Sequence, residues 1–318
     1  MREIELTGLD GSNLLGYLAA LGTLRVLTLA EPERRVRMSW VDRGYWTPAV
    51  QGSSADTEDE LAEILGSRVC PQGTIMERRK GKTTLRPKAD LQSALANANG
   101  AFLKDYLDLN LTEFHAVLDR DSRDRSTREE ADFLAALGSD WLTEKNANRP
   151  RTTDLRGIGA GNNEGFLGFM RTIHLNTQVC HIHDALFQAW NYTDPPPFMR
   201  WDANEYRPHA LRAGDPARDR ERNNVRGANR LAIEALPLFP TAVQGQRLRT
   251  VGCCPSEDRS NGIDVICPIW TDALELGTVA SLVAAGGTCV RPGVAQIYRA
   301  TRFTEGKYRN FQPSKATL

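Results

Sequence analysis

Leu14-Leu15-Gly16-Tyr17-Leu18-Ala19-Ala20-Leu21-Gly22-Thr23-Leu24-Arg25-Val26-Leu27-Thr28-Leu29-Ala30 is the stretch from which the fold can be read. Its apolar side chains at 14, 15, 18, 21, 24 and 27 recur at three- and four-residue steps yet spill onto several faces. That pattern predicts a helix that is mostly buried, not one lying half in water. Asp10-Gly11-Ser12-Asn13 supplies N-cap candidates, and Pro32 stops the helix. Ile4 to Leu6 reads as a short strand before it; Val36 to Val41 and Trp46 to Val50 alternate as strands after it. The apolar run from Leu14 to Leu29 is interrupted by Gly16, Gly22 and Arg25 and falls short of the ~20 residues a membrane helix needs. The first residues, Met1 to Leu6, carry two acids and no apolar leader. The expectation is a soluble, cytoplasmic protein without a membrane partner.

Outward from this stretch, helices are predicted over Glu58–Leu65, Leu91–Leu111, Ser126–Leu142, Gly165–Leu175, Val179–Trp190, Ala228–Leu236 and Leu274–Ala285. Strands are predicted over Leu248–Cys254, Ile263–Trp270 and Val294–Phe303, and Asp119 to Arg128 reads as a solvated charged face or loop. Thr143 to Asn163 is polar and carries Pro150, Gly157, Gly159 and Gly161, which marks a boundary between an N-terminal unit (1–150) and a C-terminal unit (151–318). Helices and strands cluster without strict alternation, so the fold class is α+β, with a mostly buried N-terminal helix and no long C-terminal helical bundle.

The 318 residues contain 40 basic and 40 acidic side chains, 41% hydrophobic and 25% charged. A globally basic nucleic-acid-coating protein is excluded; any such surface is local. Six scattered cysteines form no C-x-x-C, so neither a zinc ribbon nor a disulfide framework is expected, and no cofactor or metal is implied. His181-Ile182-His183-Asp184, with His174 two turns earlier, is the one metal-like cluster. It offers the alternative of a metal-dependent nuclease or phosphohydrolase. Gly159-Ala160-Gly161-Asn162-Asn163-Glu164-Gly165 opens a helix but lacks the buried strand of a dinucleotide loop and the Lys-Ser/Thr of a phosphate loop. It can instead present amides, Asn162 and Asn163 to a nucleic-acid backbone. No catalytic constellation is present.

Basic charge is concentrated in three places. Glu77 to Lys88 holds six basic residues against one acid, including Arg78, Arg79, Lys80 and Lys82, and reads as an exposed loop or hairpin. Residues 206–230 hold seven arginines against three acids, and the tail from Val290 holds six basic residues against Glu305. Basic side chains interleaved with Tyr, Phe and Asn suit phosphate contacts with base stacking. A scaffold whose arginines pair with partner proteins is the other alternative.

The Leu6–Leu27 stretch, with its Leu-Gly…Tyr-Leu-x-Ala-Leu-Gly-x-Leu-Arg pattern, resembles the N-terminal signature of large-subunit-like CRISPR proteins of type I-G (formerly I-U) loci. Arg226-Gly227-Ala228-Asn229-Arg230 through Pro240, and Tyr298-Arg299-x-x-Arg302 with Gly306-Lys307-Tyr308-Arg309-Asn310-Phe311, also look like blocks of compact CRISPR-associated relatives. The resemblance implies a non-catalytic subunit of a Cascade-type ribonucleoprotein in antiviral defence. Its partners would be CRISPR RNA, target double-stranded DNA, the backbone and guide-end-binding subunits, and a recruited helicase-nuclease. Guide pairing supplies most of the sequence specificity and the protein reads a short flanking motif, the PAM. On this reading Arg222, Arg226, Arg230, Lys307 and Arg309 contact phosphates, and Asn229 and Asn162 are groove readers.

Overall fold

Asn13 begins the first helix, α1 (Leu14–Ala30): its side chain accepts from the amides of Leu15 (2.8 Å) and Gly16 (3.4 Å). Every residue from Leu14 to Leu27 is buried, as the all-round apolar pattern predicted. The structure is a computed structural model and describes residues 2–70, 74–79, 82–87, 110–124, 128–143, 150–157, 165–203, 224–286, 292–305 and 308–317.

Strands β1 (Glu3–Glu5), β2 (Arg37–Asp42) and β3 (Trp46–Gln51) flank α1. They form an antiparallel sheet in the order β1-β3-β2-β12, where β12 is Leu274–Glu275. A second antiparallel sheet is ordered β10 (Cys253–Pro255), β11 (Ile263–Trp270), β13 (Val294–Glu305) and β14 (Tyr308–Phe311), with β15 (Lys315–Ala316) also pairing with β13. Aromatic side chains join α1 to both sheets. Tyr17 stacks on Trp40 at 5.8 Å, and Trp40 meets Trp270 edge-on at 5.9 Å. The Trp270 indole N–H donates to Met38 O at 2.8 Å.

The helices are α2 (Glu58–Val69), α3 (Leu111–Arg123), α4 (Arg128–Leu137), α5 (Gly165–Asn176), α6 (Val179–Phe187), α7 (Arg226–Glu234) and α8 (Leu276–Ala285). The α1–α7 crossing is close because Gly22 lies on the backbone of Leu231. A Cβ at position 22 would fall 1.8 Å from Leu231 O, and one at Gly227 would fall 1.9 Å from His181 O on α6. One hydrophobic cluster extends from Ile4 to Phe311 and takes residues from both sides of position 150. Among the described residues the C-terminal part holds no long helical bundle, and no helix is long and apolar enough to cross a membrane. The fold is mixed α+β.

Two local expectations change and two are narrowed. The helix expected over Ser126–Leu142 ends at Leu137, and Gly138–Thr143 becomes strand β6, paired with β7 (Pro150–Thr152). Gly138 is a poor helix residue, and the backbone beyond it is claimed by β7. The single strand expected over Leu248–Cys254 is two strands. β9 (Arg247–Thr250), a hairpin with β8 (Thr241–Gln244), is separated from β10 by Gly252 at φ +75°. Asp119–Arg123 is helical, because α3 starts upstream at the Asn110–Glu113 capping box. The basic Glu77–Lys88 segment forms hairpin β4 (Thr74–Arg79) and β5 (Lys82–Pro87). The helix expected at Leu91–Leu111 lies, all but its last two residues, outside the described residues.

Candidate nucleic-acid interface

Helix α7 carries three of the expected contact residues, and two of them face inward. Arg230 is fully buried. Its Nε donates to Val69 O at 2.8 Å and its Nη1 lies 2.8 Å from Glu234 Oε1. Glu234 Oε2 in turn accepts from Arg25 Nη1 of α1 at 2.8 Å, and the Arg25 guanidinium sits 5.1 Å from the Phe133 ring. Asn229 is equally buried: Oδ1 accepts from Met199 N at 2.9 Å, and Nδ2 donates to Asn224 Oδ1 and Val225 O. The expectation that Arg230 grips phosphate and Asn229 reads a groove is corrected, since both side chains are engaged in the core. Arg226, at the first turn of α7, is only partly buried. It donates to Asn176 O at 3.2 Å and Pro195 O at 3.4 Å, while its backbone N–H meets Asp194 Oδ2 at 2.8 Å.

The histidines of the metal-like cluster diverge. His174 is buried with Nδ1 at 3.2 Å from Val69 O; burial and the adjacent Arg230 charge push its pKa down to about 3. His181 Nδ1 accepts from Gln178 N, and its Nε2 faces Asp194 at 3.7 Å. His183 lies between Asp59 (3.5 Å) and Asp184 (3.6 Å). Among the described residues no group of three or more His, Cys, Asp or Glu is arranged to hold a metal ion. His181 and Arg226 do line one polar cleft of about 740 Å³ with Glu63, Ser67, Cys70 and Gln178.

A different set of arginines converges near the surface. On β13, Arg302 donates to the carbonyl of Asp154 and approaches Asp154 Oδ1 at 3.4 Å. Burial pushes the Arg302 pKa down and Asp154 opposes it, while the nearby Arg309 and Arg156 charges lower it further. Arg309 sits on β14, paired in register with Thr304. Its neighbour Asn310, buried, accepts from Arg200 Nη1 at 3.0 Å, and Arg156 Nη1 donates to Thr152 Oγ1 at 3.2 Å. Asn310 Nδ2 and Arg302 Nε are buried donors with no hydrogen-bond partner among the described residues. Arg156, Arg302 and Arg309 therefore lie within electrostatic reach of one another beside Asp154, which is bonded to Arg302. A partly desolvated guanidinium such as that of Arg302 is suited to a phosphate oxygen, because charge-assisted bonds strengthen where water is excluded.

This cluster also gathers the flanks of the segments that the sequence singled out. Gly157 precedes residues 158–164, and a Cβ there would lie 3.2 Å from Met199 O and 3.3 Å from Arg200 Cβ. Trp201, just before residues 204–223, donates to Leu155 O at 2.8 Å. Residues 306–307 connect β13 to β14. The expected contacts Asn162, Asn163, Arg222, Lys307 and Lys80 lie outside the described residues. Arg78, Arg79 and Lys82 occupy the turn end of the β4–β5 hairpin, with Arg79 opposite Lys82.

Of the expected contacts, Arg309 belongs to the cluster; Arg156, Arg200 and Arg302 were not among them. Arg302 carried a signal, because it stands two residues from Ala300, a core residue of the same strand. An arginine at such a spacing needs a buried carboxylate or carbonyl. Arg156 and Arg200 carried none, since each is brought in by a loop. Compared with known proteins, the chain matches no family model and no curated protein.

Proposed function

We propose that the protein is a non-catalytic, nucleic-acid-binding subunit of a CRISPR RNA-guided, DNA-targeting complex of the Cascade type, in the large-subunit role. In that role it contacts target DNA beside the guide-paired segment and takes part in reading the flanking motif. Guide RNA supplies the sequence specificity, and a recruited helicase-nuclease cuts. The place of action is the cytoplasm. The observation that supports this reading is the convergence of Arg156, Arg302 and Arg309 beside Asp154, from stretches that adjoin glycine-, asparagine- and arginine-rich segments of the sequence. The resemblance of Leu6–Leu27 and of the Arg226–Pro240 block supports it. The divergence of His174, His181 and His183 weighs against the hydrolase alternative.

Native mass spectrometry of the tagged protein from its own host tests the assignment. The expected species is a ribonucleoprotein with one guide-length RNA and repeated backbone subunits. A bare monomer or homodimer free of RNA overturns it. Partner proteins that stay bound after nuclease treatment, with no nucleic acid in the complex, favour the scaffold.

A further inference from the structure

Asp154, two residues after β7, is held firmly by its backbone and only loosely by its carboxylate. Its amide N–H donates to Thr250 Oγ1 at the end of β9 (2.8 Å), and its carbonyl accepts from Arg302 Nη1 on β13. The backbone on either side is fixed as well. Thr153 N–H donates to Leu137 O at 3.0 Å, Leu155 N–H donates to Thr153 Oγ1 at 3.2 Å, and Leu155 O accepts from the Trp201 indole N–H at 2.8 Å. The two carboxylate oxygens make one long bond each. Oδ1 lies 3.4 Å from Arg302 Nη2, and Oδ2 accepts from Thr250 N at 3.3 Å. Charge-assisted N–H···O bonds are ordinarily ~2.7–2.9 Å, so this carboxylate screens the guanidinium without gripping it.

Among the described residues Asp154 is the only carboxylate within ion-pair distance of Arg302, and the two side chains are 17% and 10% exposed. Each therefore keeps a narrow opening to solvent. The β13–β14 register sets Arg302 opposite Phe311 and Arg309 opposite Thr304. Residues 302 and 304 share one face of the strand, so Arg309 stands on the face from which Arg302 reaches Asp154. A phosphate that arrives at the half-buried Arg309 meets Arg302 next, with the Asp154 carboxylate in its way.

We infer that the Asp154 carboxylate is an autoinhibitory latch: it occupies the place on Arg302 that a phosphate of the bound nucleic acid takes, and it swings out when that phosphate arrives. The latch rests on the nucleic-acid-binding reading above and adds to it the way the site is kept shut. A carboxylate and a phosphodiester each bring one negative charge and two free oxygens, so the exchange keeps Arg302 neutralised throughout. The backbone bonds to Thr250, Arg302, Leu137 and Trp201 hold the loop while the side chain moves.

Fluorescence anisotropy of the full chain with a labelled short DNA duplex tests it, with circular dichroism as the check on folding. Asp154→Asn keeps the shape and removes the charge. It is expected to bind the duplex about tenfold more tightly, the lower range for one hydrogen bond to a charged group. In an Arg302→Gln background that gain is expected to disappear. A second measurement needs no variant and decides the matter if either substitution unfolds the chain. In the wild type, amide hydrogen exchange at Thr250 is expected to quicken when the duplex binds, because its N–H loses Asp154 Oδ2. Equal or weaker binding by folded Asp154→Asn, or a gain that survives Arg302→Gln, overturns the latch and leaves the nucleic-acid reading standing as long as the wild type binds duplex. Exchange at Thr250 that slows or stays the same on binding also overturns the latch. Absence of duplex binding by the wild type and Asp154→Asn alike overturns both.

Discussion

The molecule has two arginine clusters that look alike in sequence and differ in what surrounds them. Arg25, Arg230 and Glu234 lie between α1 and α7 with side chains at most 6% exposed, each guanidinium 2.8 Å from a Glu234 oxygen. Arg156, Arg302 and Arg309 lie near Asp154 at the edge of the second sheet, Arg309 only partly buried. In the first cluster the carboxylate is shared and the cations are sealed, so its purpose is to join helices. In the second, Arg309 is half-open to solvent and Arg302 is held by the backbone and side chain of Asp154, so the charge lies within reach of the surface. Burial, not the count of arginines, separates the two clusters.

The sharpest way to break this contrast is to remove Glu234. Glu234→Ala leaves two buried guanidiniums without their carboxylate and is expected to cost about 3–5 kcal/mol of stability. The refolded fraction should bind nucleic acid normally. Denaturant titration measures the first and anisotropy the second, and a small stability loss with lost binding would reverse the roles of the two clusters. Next in size is Gly22→Ala, whose Cβ would strike Leu231 O. It forces apart the helices that hold the sealed cluster, at a cost of about 1–3 kcal/mol, read as a lowered denaturation midpoint.

A pH titration of stability sharpens the same side. Folded His174, beside Arg230, stays neutral down to about pH 3, while the unfolded imidazole takes up a proton near its ordinary 6.5. The unfolded state therefore binds more protons in this window, and stability falls as pH drops from 6.5 toward 3. This one group contributes up to about 1.4 kcal/mol per pH unit. His174→Gln should flatten that slope, and an unchanged slope would remove His174 from the buried network.

The smallest stability effect is expected in the second cluster. Arg309→Ala should change stability by no more than about 0.5 kcal/mol. It should nevertheless weaken nucleic-acid binding across sequences and reduce the salt slope by about 1. A salt slope that stays unchanged would detach Arg309 from the phosphates.

The buried α1 and the strands round it are legible in the sequence, because apolar periodicity is local and Asn13 marks where the helix begins. So are the α+β class and the presence of basic segments in a neutral chain. Which arginines face water is set by long-range packing. Arg226 and Arg230 are four residues apart on one helix, yet one lines a cleft and the other meets Val69 and Glu234. Tertiary structure also converted the end of an expected helix into β6 and left Trp141 exposed there, since a pairing strand from residue 150 onward claims that backbone. Arg156 and Arg302 are far apart in the chain and meet only because the loop after β7 lies against β13 at Asp154. A guanidinium's role depends on the dielectric and the counter-charges around it, and those come from segments a hundred or more residues away.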